Sequence, residues 1–70
     1  MTADELKELL KRTPFRPFRI ILSSGTVYEI TNPELVVVMR SELFIAFPGE
    51  DRWVFVPLLH VAAIETLQAA

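Results

Sequence analysis

The sequence predicts a mostly β fold of the α+β class, with one N-terminal helix followed by a small, strongly bent antiparallel β-barrel of five or six strands. Three observations predict it. A capping pattern opens a leucine repeat at i, i+3, i+4 that Pro14 ends. From Phe18 onward apolar residues alternate in short runs. Turn residues interrupt those runs at Ser23-Ser24-Gly25, Asn32-Pro33 and Pro48-Gly49, too closely spaced to leave room for crossover helices. At 70 residues the chain is read as one domain, 1–70, with the helix at 3–12 and the barrel at 18–67.

The helix follows from its first residues. Thr2 and Glu5 have capping-box spacing, in which each side chain satisfies a backbone donor at the other's end. Met1 and Leu6 hold the flanking apolar positions that brace such a cap. Asp4 and Glu5 lie at the positive end of the helix dipole, Lys11 and Arg12 at the negative end. Leu6, Leu9 and Leu10 make one apolar stripe, expected to pack on the sheet. Pro14 then forces Thr13 toward an extended conformation.

The strands follow in order. Phe18, Ile20 and Leu22 share one face of the first, with Arg19 and Ile21 on the other. Gly25 supplies the positive φ of a hairpin turn, and residues 26–31 return with Tyr28 and Ile30 on one face and Val27 and Glu29 on the other. Pro33 has no donor and breaks the ladder. Residues 35–39 read as a third strand, 43–47 as a fourth and 52–56 as a fifth, joined by tight turns at 40–42 and 48–51. Residues 57–60 suit a single 3₁₀ turn, because Pro57 cannot continue a ladder. Residues 61–67 form the last strand, and the alanine-rich end beyond it is expected to fray. Closing the strands into a barrel would remove their exposed edges, with the helix across one end or face.

Composition narrows the function. Cysteine is absent and there is one histidine, which excludes disulfides and thiolate or histidine-cluster metal sites and fits a cytoplasmic protein. Neither a cofactor nor a metal is expected. No apolar run is long enough to span a bilayer, and residues 2–12 are too charged for a secretory signal core, so no membrane partner is expected. The net charge of −2 and isoelectric point near 5.2 argue against a general polyanion binder. Yet 51% of the residues are apolar and mean hydropathy is +0.37. So short a chain leaves much of its surface unburied, and a second copy is the expected cover.

Candidate sites are few. Lys11, Arg12, Arg16 and Arg19, with Phe15 and Phe18 between them, are the one basic-aromatic cluster. A phosphate-binding patch with stacking platforms is the functional reading. The plainer account makes Phe15 and Phe18 core residues that lock the helix on the sheet, with Arg16 and Arg19 paired to carboxylates such as Glu29. Pro14-Phe15-Arg16-Pro17 matches the P-x-x-P pattern but reads as a rigid connector. His60 has no nucleophile pattern near it and reads as a half-buried turn histidine. No Gly-rich phosphate loop, G-x-S-x-G or H-E-x-x-H is present, so an enzyme is not expected. In the strands at 35–39 and 52–56 both faces are apolar. Trp53, Phe55, Phe44 and Phe47 form an aromatic set, of which Trp53 with Phe55, and Phe44 separately, are the core candidates, with Val54 and Val56 on the opposite face. Val36, Val38, Val54 and Val56 are then the candidates for an interface between copies.

Two resemblances bear on this. The pattern P-F-R-P-F-R-I-x-L-x-x-G-x-x-Y-E-I-x-x-P-E-L over residues 14–35, with V-P-L-L-H-V-x-x-I-E over 56–65, resembles a family of short uncharacterised bacterial proteins and implies no activity. The order of a capped helix, bent strands and the turn L-L-H-V-A-A-I before the last strand is similar to Sm-like proteins, and more broadly to SH3-like barrels. Sm-like proteins pair strand edges into rings, and one is a bacterial RNA chaperone. The likeness implies an RNA-contacting turn at His60, but Leu59 stands where the chaperone has a lysine, and the glycine that bends the second strand is missing. The expectation is therefore a non-enzymatic binding or assembly module that forms a homo-oligomer. The alternatives are an Sm-like RNA-binding ring using Lys11, Arg12, Arg16, Arg19 and His60, and a small-molecule or peptide binder using the open barrel end.

Overall fold

The computed structural model describes residues 1–67; the expected fraying of the alanine-rich end lies outside the described residues. Helix α1 spans Ala3–Lys11, one residue shorter than expected at its end. Arg12 is already extended at φ −60°, ψ 141°, as the chain straightens ahead of Thr13 and Pro14. The capping box forms as predicted: Glu5 N–H donates to Thr2 Oγ1 (3.2 Å) and Thr2 N–H donates to Glu5 Oε1 (3.0 Å). The bond from the Thr2 backbone, then that from its hydroxyl, holds the Glu5 carboxyl below its ordinary value of 4.5.

That shift gives a signed expectation. A carboxyl held low stabilises the fold fully above its unfolded value, and the contribution fades as pH falls through the lowered one. Thr2→Ala removes the hydroxyl's bonds and keeps the backbone bond to Glu5, so it should destabilise the protein modestly at neutral pH. The gap between variant and wild type should narrow at acid pH. Thermal melts at about pH 7 and about pH 3 check this; a gap that widens in acid would contradict it.

Six strands follow: β1 Phe18–Leu22, β2 Val27–Ile30, β3 Val36–Val38, β4 Glu42–Phe47, β5 Arg52–Pro57 and β6 Val61–Thr66. All pairings are antiparallel. The β1–β2 hairpin turns as its sequence requires. Gly25 sits at φ +91°, its N–H donates to Leu22 O (2.9 Å), and Leu22 N–H donates to Thr26 O (2.8 Å). The β4–β5 loop places Asp51 at φ 52°, a left-handed position that aspartate tolerates better than most residues.

The predicted closed barrel is not formed. The strands make two separate three-stranded sheets, β2-β1-β6 and β3-β4-β5. The cause lies at the two corners. Pro33 breaks the ladder as expected and does so by starting a 3₁₀ turn over Pro33–Leu35, with the Asn32 side chain accepting from Glu34 N–H (2.9 Å). That turn takes Leu35 out of the third strand and separates β2 from β3. At the other corner the expected 3₁₀ turn, Leu58–His60, separates β5 from β6. The ladder is thus interrupted twice.

The two sheets share one core. Phe18, Ile20 and Ile30 from the first meet Leu43, Ile45 and Val56 from the second, and Leu6 of α1 completes the cluster with its side chain fully buried. Leu9 and Leu10 are half-buried against it. Phe15 and Phe18 touch with ring centroids 6.0 Å apart, and Pro17 O accepts from Leu67 N–H (3.0 Å). The Pro14–Pro17 stretch is therefore tied to both the core and the last strand, as a rigid connector should be.

Candidate interaction surface

The outward face of the second sheet gathers the exposed side chains of Val37, Trp53 and Phe55, and register builds it. Leu43 and Ile45 of β4 point inward and are buried. Val36 lies opposite Ile45 and Val38 opposite Leu43 on β3; Val54 lies opposite Ile45 and Val56 opposite Leu43 on β5. These four valines therefore face inward. Val36 and Val56 are buried, and Val38 and Val54 pack against the core. This corrects the expectation that Val36, Val38, Val54 and Val56 form an interface: they fill the inside of one chain.

The residues between them face out. Val37, Phe44 and Phe55 form one row across all three strands, and Ala46 with Trp53 form the next. Phe44 and Phe55 meet edge to face, with centroids 5.3 Å apart. Val37 is 54% exposed, Phe55 55% and Trp53 62%. Glu42 and Pro57 pair at one end of the face. At the other end Phe47 and Arg52 turn away together, the guanidinium lying 4.3 Å from the Phe47 ring centroid and bonded to Glu50 (2.8 Å). Reading Trp53 and Phe55 as core reversed the faces. The missed signal was Glu42: on β4 it shares a face with Phe44 and Ala46, which marks that face as outward.

The candidate basic residues stand on a helix end, a connector, a strand and a turn. Arg19 stands on the outward face of the first sheet, between Glu29 and Glu65 in register. Its ion pair goes to Glu65 (2.8 Å) rather than to Glu29. Lys11 lines a groove with Lys7, Leu10 and β3 at the edge of the second sheet. Arg12 and Arg16 are exposed and have no ion pair among the described residues. His60 is exposed rather than half-buried. It ends the Leu58–His60 turn, and its carbonyl accepts from Ser23 N–H (2.8 Å) and Ser23 Oγ (3.3 Å). Of the residues proposed for RNA contact, Lys11 thus lies beside β3 of the second sheet and Arg19 on the outward face of the first.

A groove of about 290 Å³ opens between the β1–β2 hairpin and β5, lined by Leu22, Tyr28, Phe55, Val56, Pro57 and His60, with Ser23 and Ser24 at the hairpin. Among the described residues no group of three or more His, Asp or Glu could hold a metal ion, and no helix is long and apolar enough to cross a membrane. Comparison of the chain with protein-family models, with curated proteins and with solved structures finds no match.

Proposed function

We propose that this protein is a non-enzymatic, cytoplasmic assembly module that forms a homo-oligomer through the outward face of its second sheet. The observation that carries this reading is the row Val37–Phe44–Phe55 with Trp53 beside it. It is an apolar, aromatic sheet face in a chain that already fills its core with other residues. Aromatic side chains supply much of the energy at interfaces, and contiguous apolar surface of this kind marks a docking site. The face suits a second copy of the same chain. Glu42 is its one charged residue and lies at its end, so two such faces can meet despite the net charge of −2. Covering it also supplies the stabilisation that a small core lacks.

The architecture fits the same reading. Two 3₁₀ corners that split six short strands between two sheets support an open relative of the Sm-like or SH3-like barrel. RNA binding has less support, because Lys11 lies beside the second sheet while Arg19, on the first, is held by Glu65.

Sedimentation equilibrium over about 1–100 µM tests the reading. The expected result is a mass above one chain that falls on dilution, and a smaller mass than wild type for Trp53→Lys with its circular dichroism unchanged. A folded wild-type protein with the mass of one chain at the highest concentration would overturn it.

A further inference from the structure

We infer that Leu59 is a plug that seats in the hairpin-end groove of a second copy, giving the chain a second self-association contact. The inference rests on the self-association reading but uses different residues. Leu59 is 92% exposed and stands in the middle of the Leu58–His60 turn, whose backbone is held on both sides. Leu58 is buried and its N–H donates to Ser41 O (2.9 Å). The His60 carbonyl accepts from Ser23, and Val61 N–H closes the turn onto Leu58 O. A single exposed leucine on a mobile loop would be ordinary. This one is presented on a fixed turn, so inserting it into a partner orders little new backbone.

The groove beside it fits a branched aliphatic side chain. Its volume of about 290 Å³ exceeds a leucine side chain, its walls are largely apolar and aromatic, and no Asp, Glu, Lys or Arg lines it. Leu59 does not fill the groove of its own chain, since it projects into solvent. Plug and groove adjoin at His60, which lines the groove and follows Leu59 directly. A two-fold axis passing by this turn would bring each Leu59 to the other chain's groove, so one isologous contact satisfies both. Phe55 belongs both to the groove wall and to the outward face of the second sheet, so the two contacts are continuous. Two different two-fold contacts on one chain build assemblies larger than a dimer, closed at four chains when the axes cross at right angles.

The test is sedimentation mass, with Trp53→Lys breaking one contact, and Leu59→Ser or Ser24→Trp breaking the other from its two sides. Wild type should exceed two chains. Leu59→Ser and Ser24→Trp should each fall to two, with the affected contact weakened on the order of 100-fold or more, since two buried leucines are lost per contact. Leu59→Met, which keeps the apolar volume, should retain the wild-type mass. Mixing Leu59→Ser with Ser24→Trp should restore association about tenfold over either alone, because the mixed pair keeps one intact plug and one intact groove. That recovery would not follow if either substitution merely damaged the fold.

If wild type assembles but Leu59→Ser and Ser24→Trp leave its mass unchanged, the plug is refuted and the sheet-face reading stands. If those two variants reduce the mass while Trp53→Lys does not, the plug stands and the sheet face is refuted. A wild-type mass of one chain refutes both.

Discussion

Phe18→Ala is expected to remove about 3–5 kcal/mol of folding stability, a large part of the whole margin of so short a chain. Phe18 is among the largest fully buried side chains, 1% exposed. It begins β1, pairs with Ile30 and Thr66 on its two sides, and carries Phe15 on its ring. Truncating a buried phenylalanine costs about 3–5 kcal/mol, whereas a domain of this length holds on the order of 4–10 kcal/mol in all. One substitution can therefore remove a large part of the margin. Urea titration by far-UV circular dichroism measures it, and a loss below about 1 kcal/mol would mean that the connector does not anchor the helix to the sheet.

The second large effect is expected at Leu6. The stripe Leu6, Leu9, Leu10 is unequal in the structure: Leu6 is 0% exposed, and the other two are half-buried. Leu6→Ala should lose about 2–5 kcal/mol, and Leu9→Ala clearly less. Removal of residues 1–11 should be at least as damaging as Leu6→Ala, because it uncovers the same part of the core. Equal losses at Leu6 and Leu9, or an unchanged melting temperature without the helix, would show that α1 is an appendage. These variants should impair self-association only as far as they unfold the chain, since neither residue reaches the outward face.

Much of this fold is legible in the sequence where local chemistry decides it. Thr2 and Glu5 specify the helix start; Gly25 specifies the first hairpin; Pro57 and His60 bound a 3₁₀ turn. Each depends on a few neighbouring residues. What the sequence does not specify locally is how the corners join. Asn32-Pro33 reads equally as a bend in one long strand or as the break between two. The choice depends on whether the Asn32 side chain caps the following turn, which it does.

The candidate surface is the harder case. In Val36-Val37-Val38 and Trp53-Val54-Phe55-Val56 every position is apolar, so period-two alternation names two faces without saying which is inside. Size suggests that the aromatics are core. Register with β4 decides otherwise, because Leu43 and Ile45 are inward and Glu42 is not. A polar residue on the central strand carried the information, read across two strand pairings rather than along one strand. The basic cluster misled for the opposite reason. Lys11, Arg12, Arg16 and Arg19 are close in sequence, but they span a helix end, a connector and a strand, and these elements send Lys11 and Arg19 to different parts of the molecule.

The central claim is that a second copy covers the outward face of the second sheet, and Trp53 reports on it directly because it is the chain's one tryptophan. The measurement is acrylamide quenching of Trp53 fluorescence across the concentration range in which the sedimentation mass changes. In a single chain Trp53 is 62% exposed and should be quenched readily with red-shifted emission. The account predicts that Trp53 becomes shielded and its emission moves to the blue as the chains associate, with a midpoint matching the change in mass. Quenching and emission that stay constant while the mass rises would contradict it, and would place the contact between copies away from this face.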